Sequence, residues 1–300
     1  MSQEAGVVAV NARGSGLSLR AAAAAKREPA ARAFTISGAP SLAETVREVW
    51  AYRELLVFLA WRDITIRYRQ TLLGASWALL QPLATMAVFA FLFGRVVKVP
   101  TNGLPVPLFY LSALLPWIYF STTVTTAGNS LLANSELIKK VYFPRIILPA
   151  SGALIGLMDF AVGGVVLVAM IGYYDLLSWR LLLWIPLTAL LWLFGAGVAA
   201  FLAAVSVRYR DVKYAIPFLI QIWLFVTPVI YPMTAVPPRF AVLLSINPLS
   251  GIIEAFRATT TPSALVDWPQ LGVSALLTAV TLAVSFAYFR RAEGYFTDVV

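Results

Sequence analysis

The sequence predicts an all-α integral membrane protein with six transmembrane helices, an N-terminal amphipathic interfacial helix and a re-entrant segment before the last helix. Three observations carry this fold class. Of the 300 residues, 60% are apolar and only 12% are charged, whereas a soluble domain carries about a quarter charged residues. Apolar runs approach the roughly 20 residues needed to cross a hydrocarbon core of about 30 Å, and they recur along the chain. The cations gather between those runs, as Lys139, Lys140 and Arg145 do in the stretch ELIKKVYFPRIILP, residues 136–149.

The elements follow in order. Residues 1–40 read as a flexible basic arm with little to bury, and the alanine run between Arg20 and Lys26 is too short for a cleavable signal. Residues 41–300 form the membrane domain. Over 41–70, Leu42, Val46, Val49, Leu56, Ala60 and Ile64 recur at helical spacing, with Glu44, Glu48, Glu54 and Asp63 elsewhere around the wheel. With Trp50 and Trp61 added, this is the pattern of a helix lying in the membrane surface; a soluble helix packed on a partner is the other reading. Spans are expected at about 76–93, 108–127, 146–171, 181–205, 215–232 and 271–289. Residues 236–256 are also apolar, but Pro237, Pro238, Arg239, Asn247 and Pro248 interrupt them. Such a segment suits a re-entrant path shielded by protein, where freed backbone groups find partners.

Orientation follows from the basic residues. With both termini in the cytoplasm, thirteen cations from Arg47 to Arg291 fall inside and five fall outside: Arg95, Lys98, Arg180, Arg239 and Arg257. The net charge of +9 therefore points to anionic membrane lipids rather than nucleic acid, because no single soluble face collects it. The chain has no Cys and no His, which excludes disulfides, thiol nucleophiles, Cys/His zinc sites and imidazole catalysis. No Gly-rich phosphate cradle with its Lys occurs, so ATP binding is not expected here.

Several residues invite a functional reading. Arg67, Tyr68 and Arg69 precede the first span, where a lipid phosphate would meet Arg forks; topological anchoring explains the same charges. Trp77, Gln81, Thr85 and Phe89 form one stripe, and Tyr214, Phe218, Gln221 and Phe225 another. Aromatic rings can slide on sugar faces while Gln and Thr exchange hydrogen bonds with hydroxyls; helix packing is the alternative. Asp159 lies inside the third span, at a cost of about 2.5–3.5 kcal/mol on insertion scales. A structural carboxylate, neutral or hydrogen-bonded to a hydroxyl such as Ser121 or Thr125, is the favoured expectation, and proton coupling the rival.

Four stretches carry a resemblance. They are WRDITIRYRQTLLGASWALLQPL (61–83), NSELIKKVYFPRIILP (134–149), VRYRDVKYAIPF (207–218) and INPLSGIIEAFR (246–257). In this order the chain resembles the membrane subunits of ABC-2-type exporters, in particular those moving O-antigen, capsular polysaccharide or teichoic acid. The resemblance implies a homodimeric, non-enzymatic permease in the bacterial inner membrane, resting on two copies of a cytoplasmic ATPase. ATP and Mg would be bound by that partner, with no cofactor in this chain. Residues 134–145 would match the coupling helix, with Glu136, Lys139, Lys140, Tyr142, Phe143 and Arg145 meeting the ATPase. Residues 61–74 would admit the lipid end of a lipid-linked polysaccharide. Residues 234–257 would close the outer mouth, with Asn247, Pro248 and Arg257 in the gate. Export of a drug or small lipid remains open on the same architecture. A glycolipid transferase would need Asp63, Glu254 or Asp267 as acid/base groups, and these form no obvious pair in the sequence.

Overall fold

All regular structure among the described residues is helical, and the order of elements follows the apolar runs and the prolines between them. The computed structural model describes residues 42–69, 74–261 and 264–293; the basic arm expected over 1–40 and the loop residues 70–73 lie outside these. The interfacial segment forms two helices, α1 (Leu42–Ala51) and α2 (Arg53–Tyr68), where one was expected. The break at Tyr52 is local, since the Tyr52 N–H still donates to Glu48 O and Leu56 N–H to Tyr52 O, each at 3.0 Å. It lets α2 lay Leu59 and Ala60 into the core, while Trp50 on α1 stays exposed.

Helix α3 (Trp77–Phe89) runs on as a π-helical segment, Ala90–Val96, in which Val97 N–H reaches five residues back to Leu92 O. Helix α4 (Val106–Gly128) starts on Pro105 and Pro107, a position where missing N–H groups do no harm. It is the buried axis. Leu108 to Leu115 are each at most 2% exposed, as expected for a helix apolar all round. One-turn α5 (Ser130–Ala133) and short α6 (Ser135–Lys140) lead to α7 (Ile147–Tyr173). Small residues on α7 let it approach α4 closely: a Cβ on Gly152 would stand 2.8 Å from Ala127 Cα.

A 3₁₀ turn, Trp179–Leu183, opens α8 (Trp184–Arg208), followed by α9 (Val212–Val226). Here the structure corrects the expected span over 215–232. Helix α9 has 15 residues, about 22 Å at 1.5 Å per residue, short of a full crossing. Thr227 precedes Pro228, which disfavours helical backbone, and it is extended with φ −109° and ψ 138°. The re-entrant segment is a pair, α10 (Pro238–Ser245) and α11 (Pro248–Thr259), bent by 101°. Helix α12 (Trp268–Glu293) packs along α8. Among the described residues five helices are long and apolar enough to cross a membrane, or six if the bent pair counts as one span.

Candidate functional site

Between α4 and α7 the sequence turns polar, and α6 carries two kinds of residue. Leu137 and Ile138 pack inward on a cluster that includes Leu59, Phe143, Ile147, Val207 and Phe289. Glu136, Lys139 and Lys140 point outward, with the Lys140 and Lys139 Nζ atoms 3.5 and 4.0 Å from the Glu136 carboxylate. Such exposed pairs add little stability, so these charges serve the surface. Val141 is extended and Tyr142 is 81% exposed. Phe143 is buried, and Arg145 Nη1 donates to Glu293 O at 2.6 Å. The six loop residues therefore divide into an outward set (Glu136, Lys139, Lys140, Tyr142) and two anchors (Phe143, Arg145).

Helix α2 ties this loop to the third span. Arg62 Nη2 donates to Asn134 Oδ1 at 2.8 Å, and its Nε to Asp63 Oδ1 at 2.7 Å. Five residues on, Arg67 Nη1 lies 3.0 Å from Asp159 Oδ2. The Tyr68 hydroxyl donates to Asp159 Oδ1. This corrects the expected partner of Asp159: Ser121 Oγ bonds Ile118 O, and Thr125 Oγ1 bonds Ser121 O. Each of those hydroxyls is satisfied along its own helix. Burial, and then the bond to Asp159, push the Tyr68 phenol up to about 12, which keeps it a donor. Arg69 ends the helix, exposed, its N–H on Thr65 O at 2.9 Å.

The two stripes differ. On α9, Tyr214, Phe218, Gln221 and Phe225 are all exposed on one face, and Ile216 is the helix's only buried residue. On α3, Trp77 and Gln81 are exposed, and Thr85 Oγ1 turns back to Gln81 O at 2.8 Å. Phe89 faces the core, edge-on to Tyr110 with centroids 6.2 Å apart.

At the bend of the α10–α11 pair, Asn247 bridges two elements. Its Oδ1 accepts from Leu249 N–H and Trp223 Nε1, each at 3.2 Å, and its Nδ2 donates to Thr227 Oγ1 at 2.9 Å. Pro248, buried, occupies the first helical position of α11. Arg257, only 4% exposed, lies 3.9 Å above the Phe109 ring and binds the carbonyls of Pro228 and Val229. These contacts pin the end of α9 to α11 and α4. The link from Arg62 to Asn134 escaped sequence reasoning; a lone Arg and a lone Asn 72 positions apart carry no shared signal. Asp63, Glu254 and Asp267 stand apart, engaged respectively with Arg62, Arg257 and Gln270 N–H. Among the described residues no three His, Cys, Asp or Glu gather as a metal site would need.

Long apolar helices around a buried axis, a re-entrant pair pinned at one end and an outward-facing cationic turn define a polytopic membrane permease. The chain belongs to the ABC-2 type transporter family, whose model matches residues 54–260. It is 31% identical over 260 residues to the O-antigen export system permease protein RfbA of Myxococcus xanthus, covering 85% of this chain and 98% of that relative. To the protein of the same name from Klebsiella pneumoniae it is 26% identical over 252 residues, covering 82% and 95%. To the polysialic acid transport protein KpsM of Escherichia coli it is 23% identical over 238 residues, covering 77% and 91%.

Proposed function

We propose that this chain is the membrane subunit of an ATP-driven exporter that carries a lipid-linked polysaccharide, such as O-antigen, out across the bacterial inner membrane. The relatives named for O-antigen and polysialic acid transport support the cargo class. The single observation that carries the mechanism is the continuous polar tie from loop to span. Asn134, at the base of α6, holds Arg62 on α2, and α2 holds Asp159 on α7 through Arg67 and Tyr68. A push on the outward set Glu136, Lys139, Lys140 and Tyr142 reaches the lipid-phosphate site through one rigid helix.

In this reading two copies of the chain pair, and two copies of a partner ATPase hold ATP and Mg beneath them. Both termini lie in the cytoplasm, on the basic side. The outer faces of α3 and α9 line the path, with Trp77, Gln81 and Thr85 opposite Tyr214, Phe218, Gln221 and Phe225, while Phe89 backs the α3 stripe from the core. Asn247, Pro248 and Arg257 form its outer end. The dispersed acids Asp63, Glu254 and Asp267 give no support to a transferase.

The test is charge reversal at the loop. Lys139→Glu with Lys140→Glu removes two cations that make only exposed pairs with Glu136, so insertion and folding persist while polysaccharide export and co-purification of the ATPase fall together. Full export by the doubly reversed protein would overturn the coupling assignment.

A further inference from the structure

Asp159 has a place but, so far, no task. It sits 12 residues into the 27 of α7, where a carboxylate is expensive, and two adjacent residues of another helix take up its two oxygens. The side chain of Arg67 is 37% exposed and that of Asp159 only 15%. The cation stands at the mouth of the site and the acid behind it. The cavity at this pair, lined by Arg67 and Asp159 themselves together with Trp77, Gln81, Thr122 and Gly156, measures about 20 Å³, room for a single water and no larger anion while the pair is closed.

Arginine presents the same planar fork to carboxylate and to phosphate. In an empty site at this depth Arg67 needs a counter-charge, and Asp159 is the acid that meets it. A lipid phosphate brings more charge and more acceptor oxygens to the same donors. We propose that Asp159 is a built-in stand-in for that phosphate. It occupies Arg67 and Tyr68 while the site is empty and gives up Arg67 when the phosphate group of an anionic lipid arrives. The inference rests on the reading of Arg67 as the headgroup residue and adds what that reading lacks, a competitor within the protein. Asp159 is then a positioning residue that sets affinity through Arg67. Loss of the Arg67 contact also leaves the Tyr68 bond as the remaining tie between Asp159 and the end of α2, so the cargo itself loosens one link of the loop-to-span chain.

The experiment measures binding of farnesyl diphosphate to the full-length chain in phosphatidylcholine nanodiscs. Asp159→Asn removes the competitor and is expected to tighten binding about tenfold, whereas Arg67→Gln weakens it about tenfold. Unchanged or weaker binding by the Asp159→Asn protein overturns the inference, because a merely structural carboxylate cannot raise affinity when removed. Undiminished binding by Arg67→Gln would instead remove the headgroup reading beneath it. Inorganic pyrophosphate is the second ligand; affinity equal to that of the lipid would overturn the lipid part of the proposal. A readout on the unsubstituted protein guards against a variant that fails to fold. With ¹³C-labelled aspartate, farnesyl diphosphate should shift an aspartate carboxylate infrared band that farnesol leaves in place. No shift would overturn the exchange.

Discussion

Arg257 Nη1 lies 2.6 Å from Glu254 Oε1, one turn apart on α11, and its Nη2 reaches the carbonyls of Pro228 and Val229 at 2.9 and 3.1 Å. The same carboxylate oxygen of Glu254 accepts from Met233 N–H at 3.1 Å. This pair, with Arg257 buried and Glu254 partly so, thus satisfies backbone of the non-α-helical stretch that follows α9, the condition under which irregular chain is tolerated at membrane depth. Removing one partner strands the other. Glu254→Gln or Arg257→Leu is expected to destabilise the protein by about 3–5 kcal/mol. Thermal unfolding in detergent checks this, with both variants melting well below the parent.

Tyr142 offers a gentler probe of the loop than charge reversal. Its ring is 81% exposed, so Tyr142→Ala should leave the melting temperature within a degree or two, as surface changes usually do. ATP-driven export should fall at the same time. Export equal to the parent's would show that the aromatic ring has no part in the contact with the ATPase.

Close approach of α4 and α7 can be tested by pairing two glycines. Gly152→Val drives a side chain into Ala127, whose Cα would be 2.8 Å from the new Cβ, and should cost about 1–3 kcal/mol as overpacking does. Gly164→Ala meets only Trp184 Cζ3 at 3.7 Å and should be tolerated. Melting curves of the two proteins decide the matter.

Energy source separates an ATP-driven exporter from a carrier that uses Asp159 as a proton relay. Asp159 is engaged with Arg67 and Tyr68 rather than with a second acid, unlike the carboxylate and His chains of proton pumps. Collapsing the proton gradient while ATP is held constant should therefore leave export unchanged. Loss of export under that condition would return the carrier reading.

Much of the fold was legible because hydropathy and proline act locally. The apolar runs of the sequence coincide within a few residues with α3, α4, α7, α8 and α12, and Pro237, Pro238, Asn247 and Pro248 mark the re-entrant pair. The error over 215–232 has a local cause: Val229, Ile230 and Tyr231 kept the run apolar although Pro228 had already ended the helix. The break at Tyr52 left no mark in the pattern, because apolar spacing continues through it. In the site, the sequence marks Arg67, Tyr68 and Asp159 singly but not their union. The hydrogen bond spans 91 positions, and periodicity carries no information over that distance. Phe89 fell on the right stripe but turned to Tyr110, since a stripe does not say which neighbour a ring will choose.

Helix α9 is fastened unequally. Along its length only Ile216 is buried, whereas Thr227 to Ile230 beyond its end are all buried and gripped by Asn247 and Arg257. A rod anchored at one tip swings about that tip. Any sideways displacement of α9 is then largest near Tyr214 and least near Phe225, so the aperture beside it would flare like a fan rather than widen evenly along its depth.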